Sequence, residues 1–166
     1  MNNLFIYWTG EEYKLISELR KLIYLHSTNG NGYKVHLLNH ENIKDYIENI
    51  PPYFYNLQPA HQADFVRVHV ICKYGGIWLD SDTLVLDSLD SLFNLIEKKD
   101  GFFILENNKI ICNGVFGSKP NTIIMIEWKN RLMSILNTKK NNIIWPEIGS
   151  YLIDNIYRNN KNNYHI

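Results

Sequence analysis

The chain has 166 residues, 45% hydrophobic and 20% charged, with 17 basic residues balancing 17 acidic ones. That length suits a single domain with a substantial core. The neutral balance excludes a basic field for nucleic acid or an anionic membrane, and no apolar run reaches the ~18 residues of a membrane span.

"LFIYW" (4–8) is a short β-rich run closed by Thr9 and Gly10, and predicts a first strand. "EEYKLISELRKLIYLH" (11–26) spaces its apolar residues as a helix does, with acidic residues in its first turn. "NGNG" (29–32) predicts a turn, and "YKVHLLN" (33–39) a second strand. Three prolines make 51–59 a loop. Residues 60–74 predict a helix stopped at Gly75–Gly76, and 77–79 a strand running into Asp80 and Asp82. Segments 101–105 and 109–118 predict a β pair about Asn107–Asn108, and 121–136 an amphipathic helix. Pro146 is expected in the first turn of a last helix, 147–158, followed by a loop-like, asparagine-rich end.

Strand, helix, strand at the start predicts an α/β domain with one mostly parallel sheet flanked by helices. Ligands of such sheets lie beyond the carboxyl ends of the strands, where Asp80 and Asp82 fall. The start "MNNLFIYWTG" has neither the basic region nor the cleavage site of a signal peptide. Cys72 and Cys112 sit in apolar contexts and read as buried thiols of a reducing compartment. A cytoplasmic location is therefore expected.

"YGGIWLDSDTLV" (74–85) poses the functional question. Two carboxylates one residue apart repel, so folding alone gives no reason to place them at a strand end. Residues i and i+2 of an extended segment share a side, and carboxylate oxygens suit Mg²⁺ or Mn²⁺. A turn cap and a solvated aspartate is the alternative. Two metal chemistries compete. "DSDTLV" partly matches the haloacid dehalogenase phosphatase motif, but Leu84 departs from it, and that family puts the motif on its opening strand. Glycosyl transfer from a nucleotide sugar needs few carboxylate ligands and no phosphate-cradling P-loop.

"ADFVRVHVICKYGGIWLDSD" resembles the signature of GT-A glycosyltransferases of the D-x-D type, among them yeast mannosyltransferases, capsular polysaccharide transferases and the glucosylating clostridial toxins. Asp64, Arg67, Gly75, Gly76, Asp80 and Asp82 match in identity and spacing, while Trp78 replaces the usual tyrosine. "IYWTG", "NGVFGSKP" and "WPEIG" extend the likeness more thinly. The chain is also similar to the N-terminal transferase domain of a larger chlorella-virus glycosyltransferase, which implies a viral setting, host cytoplasm and a longer chain. The resemblance implies a GT-A fold over 1–166. It also implies metal-dependent transfer of a hexose, of glucose or rhamnose type, from a UDP-sugar to a glycan or protein-linked sugar hydroxyl.

By the same resemblance, Trp8 stacks on uracil and Trp78 packs near the ribose, with Thr9 and Ser81 in the donor-binding set. Asp64 and Arg67, on one face of their helix, reach the sugar and diphosphate, and Asn113 lines the acceptor side. Asp80 and Asp82 hold Mn²⁺ or Mg²⁺. Many such enzymes add a late histidine, and His165 in "NNYHI" is the one so placed, which favours manganese. Structural readings stand beside these: an exposed Asp64–Arg67 ion pair, Trp8 as core, Asn113 as a turn and His165 as a frayed end. His26, His36, His40, His61 and His69 read as structural. Glu106, Glu147 and Asp154 are the carboxylates considered as a catalytic base. A binding module without turnover is the non-enzyme alternative.

Overall fold

A computed structural model describes residues 2–27, 32–107, 109–139, 142–160 and 163–166. The expected turn at 29–32, apart from Gly32, lies outside them, as do Asn108 and residues 161–162 of the terminal loop.

The elements in chain order are β1 (Asn3–Tyr7), α1 (Lys14–His26), β2 (Lys34–Leu38), α2 (Pro59–Tyr74), β3 (Gly76–Leu79), α3 (Asp90–Lys98), β4 (Gly101–Glu106), β5 (Ile110–Ser118), α4 (Ile123–Lys139), α5 (Ser150–Asn159) and β6 (Tyr164–His165). Two short 3₁₀ turns precede α2. The six strands form one sheet in the order β2-β1-β3-β5-β4-β6. Only β5 runs against its neighbours; the pairs β1–β2, β1–β3 and β4–β6 are parallel. This is the mixed, mostly parallel α/β architecture expected.

Strand alternation divides the core in two. Leu4, Ile6, Ile77 and Leu79 pack on one face with Ile23 of α1 and with Phe93 and Ile96 of α3. Phe5, Tyr7 and Trp78 point the other way, among residues of α2, α4 and α5. Both faces are covered, which is why β1 and β3 read as unbroken apolar runs.

The Gly75–Gly76 pair turns α2 directly into β3. Both residues have positive φ, 65° and 114°, and a Cβ on Gly76 would lie 2.3 Å from the Asn3 carbonyl oxygen. Only glycine lets β3 approach β1 there.

Four elements differ from expectation. Helix α1 starts at Lys14 with no acidic residue in its first turn, so Glu11 and Glu12 are released into the loop after β1. Pro146 lies in the turn before α5, which begins at Ser150. Helix α3 and strand β6 were not anticipated.

Candidate functional site

A cleft of about 680 Å³ opens where β1 and β3 end. Its floor is Tyr7, Trp8 and the turn Asp80–Asp82, with Asn113 of the antiparallel β5 alongside. Helix α2 presents Ala60, Ala63, Asp64 and Arg67 to it, a spacing that puts all four on one helical face. One wall is the segment bearing Glu11, Tyr13 and Ile16; the other carries Trp145, Pro146 and Ser150.

At the centre a charged pair is held out of water beside the partly exposed Asp80. Arg67 and Asp64 are each 4% exposed. The Arg67 guanidinium lies 3.4 Å from Asp64 Oδ1 and 3.1 Å from Asp80 Oδ1. It also donates to the carbonyls of Ala63 (3.3 Å) and Asn113, and stands 5.1 Å from the centre of the Trp78 ring. Asn113 Nδ2 donates to Asp64 Oδ1 at 2.7 Å, and Asn113 Oδ1 accepts from Ser150 Oγ at 2.9 Å. Gly149 closes this corner: a Cβ there would fall 2.5 Å from Asn113 Nδ2 and 2.9 Å from Asp64 Oδ1. The exposed ion-pair reading of Asp64 and Arg67 is thereby set aside.

Burial pushes the Asp64 carboxyl above its ordinary pKa, and Arg67 opposes that rise. Asp80 is also pushed up, by burial first; Arg67 and the Trp78 hydrogen bond pull it down, and neighbouring Asp82 pushes it further up. Asp80 thus stands between the Arg67 guanidinium, which favours its charged form, and Asp82, which opposes it.

Asp80 and Asp82 do share the cleft, through a turn rather than a pleat. Asp80 N–H donates to Gly114 (2.8 Å), and Thr83 N–H returns to the Asp80 carbonyl (3.0 Å). Asp80 Oδ1 is occupied by Trp78 Nε1 (2.8 Å) and Arg67. Its Oδ2 edge faces Gly114, where a Cβ would lie 2.8 Å away, so glycine keeps that edge clear. Asp82 is exposed on the cleft. One spared carboxylate edge and one solvent-facing carboxylate fit a hard divalent cation. Among the described residues no three or more His, Cys, Asp or Glu side chains gather as a metal cage. Phosphate and water oxygens would have to complete such a shell.

Other expected residues fall elsewhere. Trp78 is fully buried and does not line the cleft; it shares a side with Asp80 but lies deeper along β3, covered by the Arg67 guanidinium, where it orients Asp80 and Arg67 instead of packing near a ribose. The Ser81 hydroxyl donates to the Tyr7 carbonyl (2.8 Å), tying the turn to β1. Trp8 lines the cleft half-buried, its indole N–H on the Glu11 carbonyl (3.1 Å). Thr9 lines it too, and joins a network in which Tyr7 OH (2.9 Å) and His40 Nε2 (2.8 Å) both reach Gln62 Oε1.

His165 does not reach the cleft. It pairs with Phe102 on the sheet's far edge, three strands from β3, about 14 Å at the usual inter-strand spacing. The expected histidine ligand is thus corrected by strand order. None of the three carboxylates considered as a base lines the cleft. Glu106 is exposed at the end of β4, Glu147 pairs with Lys139, and Asp154 accepts from Ile111 N–H and Arg158. Glu11, Tyr13 and Ser150 line it without having been anticipated. The shared helical face of Asp64 and Arg67 was legible from spacing, and Ala60 and Ala63 join it in the cleft; Glu11 was hidden by the misplaced start of α1.

A family model described as "Capsular polysaccharide synthesis protein" matches residues 1–165. An uncharacterized Arabidopsis thaliana protein is 50% identical over 42 residues, 25% of this chain and 6% of that protein. The chain thus aligns with a small part of that relative. Among solved structures, the PaToxG glycosyltransferase superposes with a TM-score of 0.66 at 14% identity, covering 94% of this chain and 67% of that one. The apo form of the glycosyltransferase GlyE from Streptococcus pneumoniae gives 0.63 at 15% identity, covering 99% and 45%. An active-site mutant of LgtC gives 0.58 at 10%, covering 98% and 72%. At these identities the likeness is one of fold.

Proposed function

Because the chain belongs to the capsular polysaccharide synthesis protein family, we propose that it is a glycosyltransferase moving a hexose, of glucose or rhamnose type, from a UDP-sugar to a glycan or protein-linked sugar hydroxyl. Family and fold neighbours support glycosyl transfer in general. The observation that carries the finer reading is the Asp64–Arg67–Asp80 cluster at the carboxyl end of the sheet, with Asp82 beside it.

Its parts suit a diphosphate sugar. Asp64, fixed by Asn113 and Arg67, offers Oδ2 to sugar hydroxyls, and buried acceptors discriminate strongly for hydroxyl donors. Trp8 and Tyr13 give aromatic faces beside the end of β1 for a base. The anomeric C–O bond to the diphosphate breaks, its electron pair staying on the leaving oxygen. The acceptor oxygen bonds to that carbon, and its proton is balanced by the negative charge left on the departing diphosphate oxygen. A divalent ion held by Asp80 and Asp82 supplies charge neutralisation on the departing diphosphate when bound. The chain's own contribution is alignment of the reacting groups in a walled cleft.

The test is UDP release from a panel of UDP-sugars with Mn²⁺, alongside thermal shifts, which rise with any ligand of the native state. Asp82→Asn is expected to abolish turnover and weaken Mn²⁺-dependent UDP binding while the fold persists. Unchanged turnover in this variant would sink the metal-assisted reading. Metal-dependent UDP binding without UDP release from any donor would instead identify a binding module. Release of phosphate from a monoester with UDP-sugars ignored would point to the phosphatase.

A further inference from the structure

The cleft wall across from Trp8 carries an indole for which folding has no use. Trp145 is 71% exposed, yet the segment bearing it is fastened down. Ile148 is fully buried, and its carbonyl accepts from Trp128 Nε1 at 3.0 Å. Glu147 N–H donates to the Ile144 carbonyl (2.7 Å), while the Glu147 carboxylate accepts from Ile144 N–H (3.2 Å) and pairs with Lys139. Gly149 N–H donates to the Pro146 carbonyl at 3.2 Å. Displaying an indole from so constrained a segment forgoes the hydrophobic gain of burying it. Ile144 and Tyr151 are exposed beside it, and with Pro146 they border a second hollow of about 320 Å³.

Strand order says which side of the reaction this wall faces. β1 and β5 flank β3 on opposite sides, so Trp8 and Asn113 lie on opposite sides of Asp80. The Trp145 wall goes with Asn113, since Ser150 Oγ bonds Asn113 Oδ1 and Trp145, Pro146 and Ser150 line the cleft together. A nucleotide seated at Trp8 leaves this wall to the incoming group.

We infer that Trp145 is the platform of an acceptor subsite, stacking on the C–H face of a pyranose ring of the acceptor glycan. The inference rests on the glycosyl-transfer reading. The axial C–H bonds of a pyranose carry slight positive charge and meet the negative face of the indole, and a platform fixed beforehand costs little ordering on binding. Tyr151 and Ile144 extend the apolar surface for a second sugar unit, so an acceptor of two or more units is the expected class.

The test uses methyl gluco-, galacto-, manno- and rhamnopyranosides and a disaccharide glycoside, followed by saturation-transfer NMR with and without UDP and Mn²⁺. In the wild-type protein, transfer to the ring C–H protons of at least one glycoside is expected. Trp145→Ala should weaken that glycoside at least tenfold, and Trp145→Phe should keep it within about threefold. UDP affinity, read by calorimetry, should change less than twofold in Trp145→Ala. Equal saccharide signals in wild type and Trp145→Ala overturn the inference, as does no signal in the wild type. A large loss of UDP affinity overturns it too, since Trp145 would then hold the base. Trp145-dependent saccharide binding with no UDP release from any donor would keep the saccharide platform and remove the transferase reading.

Discussion

Arg67→Met is the sharpest test of the cluster, because one guanidinium there balances two carboxylates. Removing it takes away contacts at 3.4 Å to Asp64 and 3.1 Å to Asp80, together with donors to the Ala63 and Asn113 carbonyls. Breaking a buried pair from one side costs about 3–5 kcal/mol, since the remaining charge stays unpaired. For a domain of this length that lowers Tm on the order of 10 °C. The loss should depend on pH in a stated sense. Burial already raises both carboxyls and Arg67 restrains them; without it their folded pKa values rise further above the unfolded ones. The deficit is then full above the raised folded values and shrinks as pH falls through them towards the unfolded range. Urea titrations at pH 8 and pH 5 measure it, with the wild-type protein alongside. Asp64→Asn added to Arg67→Met should recover part of the loss at pH 8, because one buried charge disappears. A deficit under about 1 kcal/mol, or one equal at the two pH values, would refute the electrostatic account of the cluster.

Gly149→Ala should destabilise by about 1–3 kcal/mol and slow donor turnover, since its Cβ would meet Asn113 Nδ2 at 2.5 Å and Asp64 Oδ1 at 2.9 Å; thermal melts and UDP release check both, and native values in both would contradict the close fit. His69 is lowered from 6.5 to about 4 by burial, its Nδ1 on the Phe65 carbonyl at 2.8 Å. The folded protein therefore holds it neutral, and the stability present above pH 6.5 should fall by up to about 3 kcal/mol as pH drops from there to about 4. His69→Phe should flatten that acid limb in urea midpoints taken across the range, and an unchanged limb would assign it to other groups.

Periodicity was enough to read much of this fold. β1 and β3 are apolar runs with turn residues at their ends, and α2 carries a strong glycine stop, so local chemistry and final structure agree there. The cluster's membership was legible for a related reason: Asp64 and Arg67 share a helical face, and the Gly-Gly reversal delivers Asp80 to the same place whatever else the chain does. Expectations failed where position depends on partners distant in sequence. Trp78 shares a side with Asp80, two residues on, but Arg67 and the helices packed on that face cover it, and there its N–H fixes Asp80. Glu147 is acidic and near the site in sequence, yet Lys139 and the Ile144 N–H bind it into the loop. β6 has only two residues and pairs with β4, so its place follows from an open sheet edge and not from any local signal. That edge lies three strands from β3, and sheet order alone, set by which faces can be buried together, removes His165 from the carboxylates and sets Trp145 beside them. The sequence by itself determined the chemistry brought to the site: two adjacent carboxylates, a helical acid–base pair and flanking aromatics. Tertiary structure decided which of those groups meet, because burial, strand order and competition for hydrogen bonds act between residues that spacing along the chain does not connect.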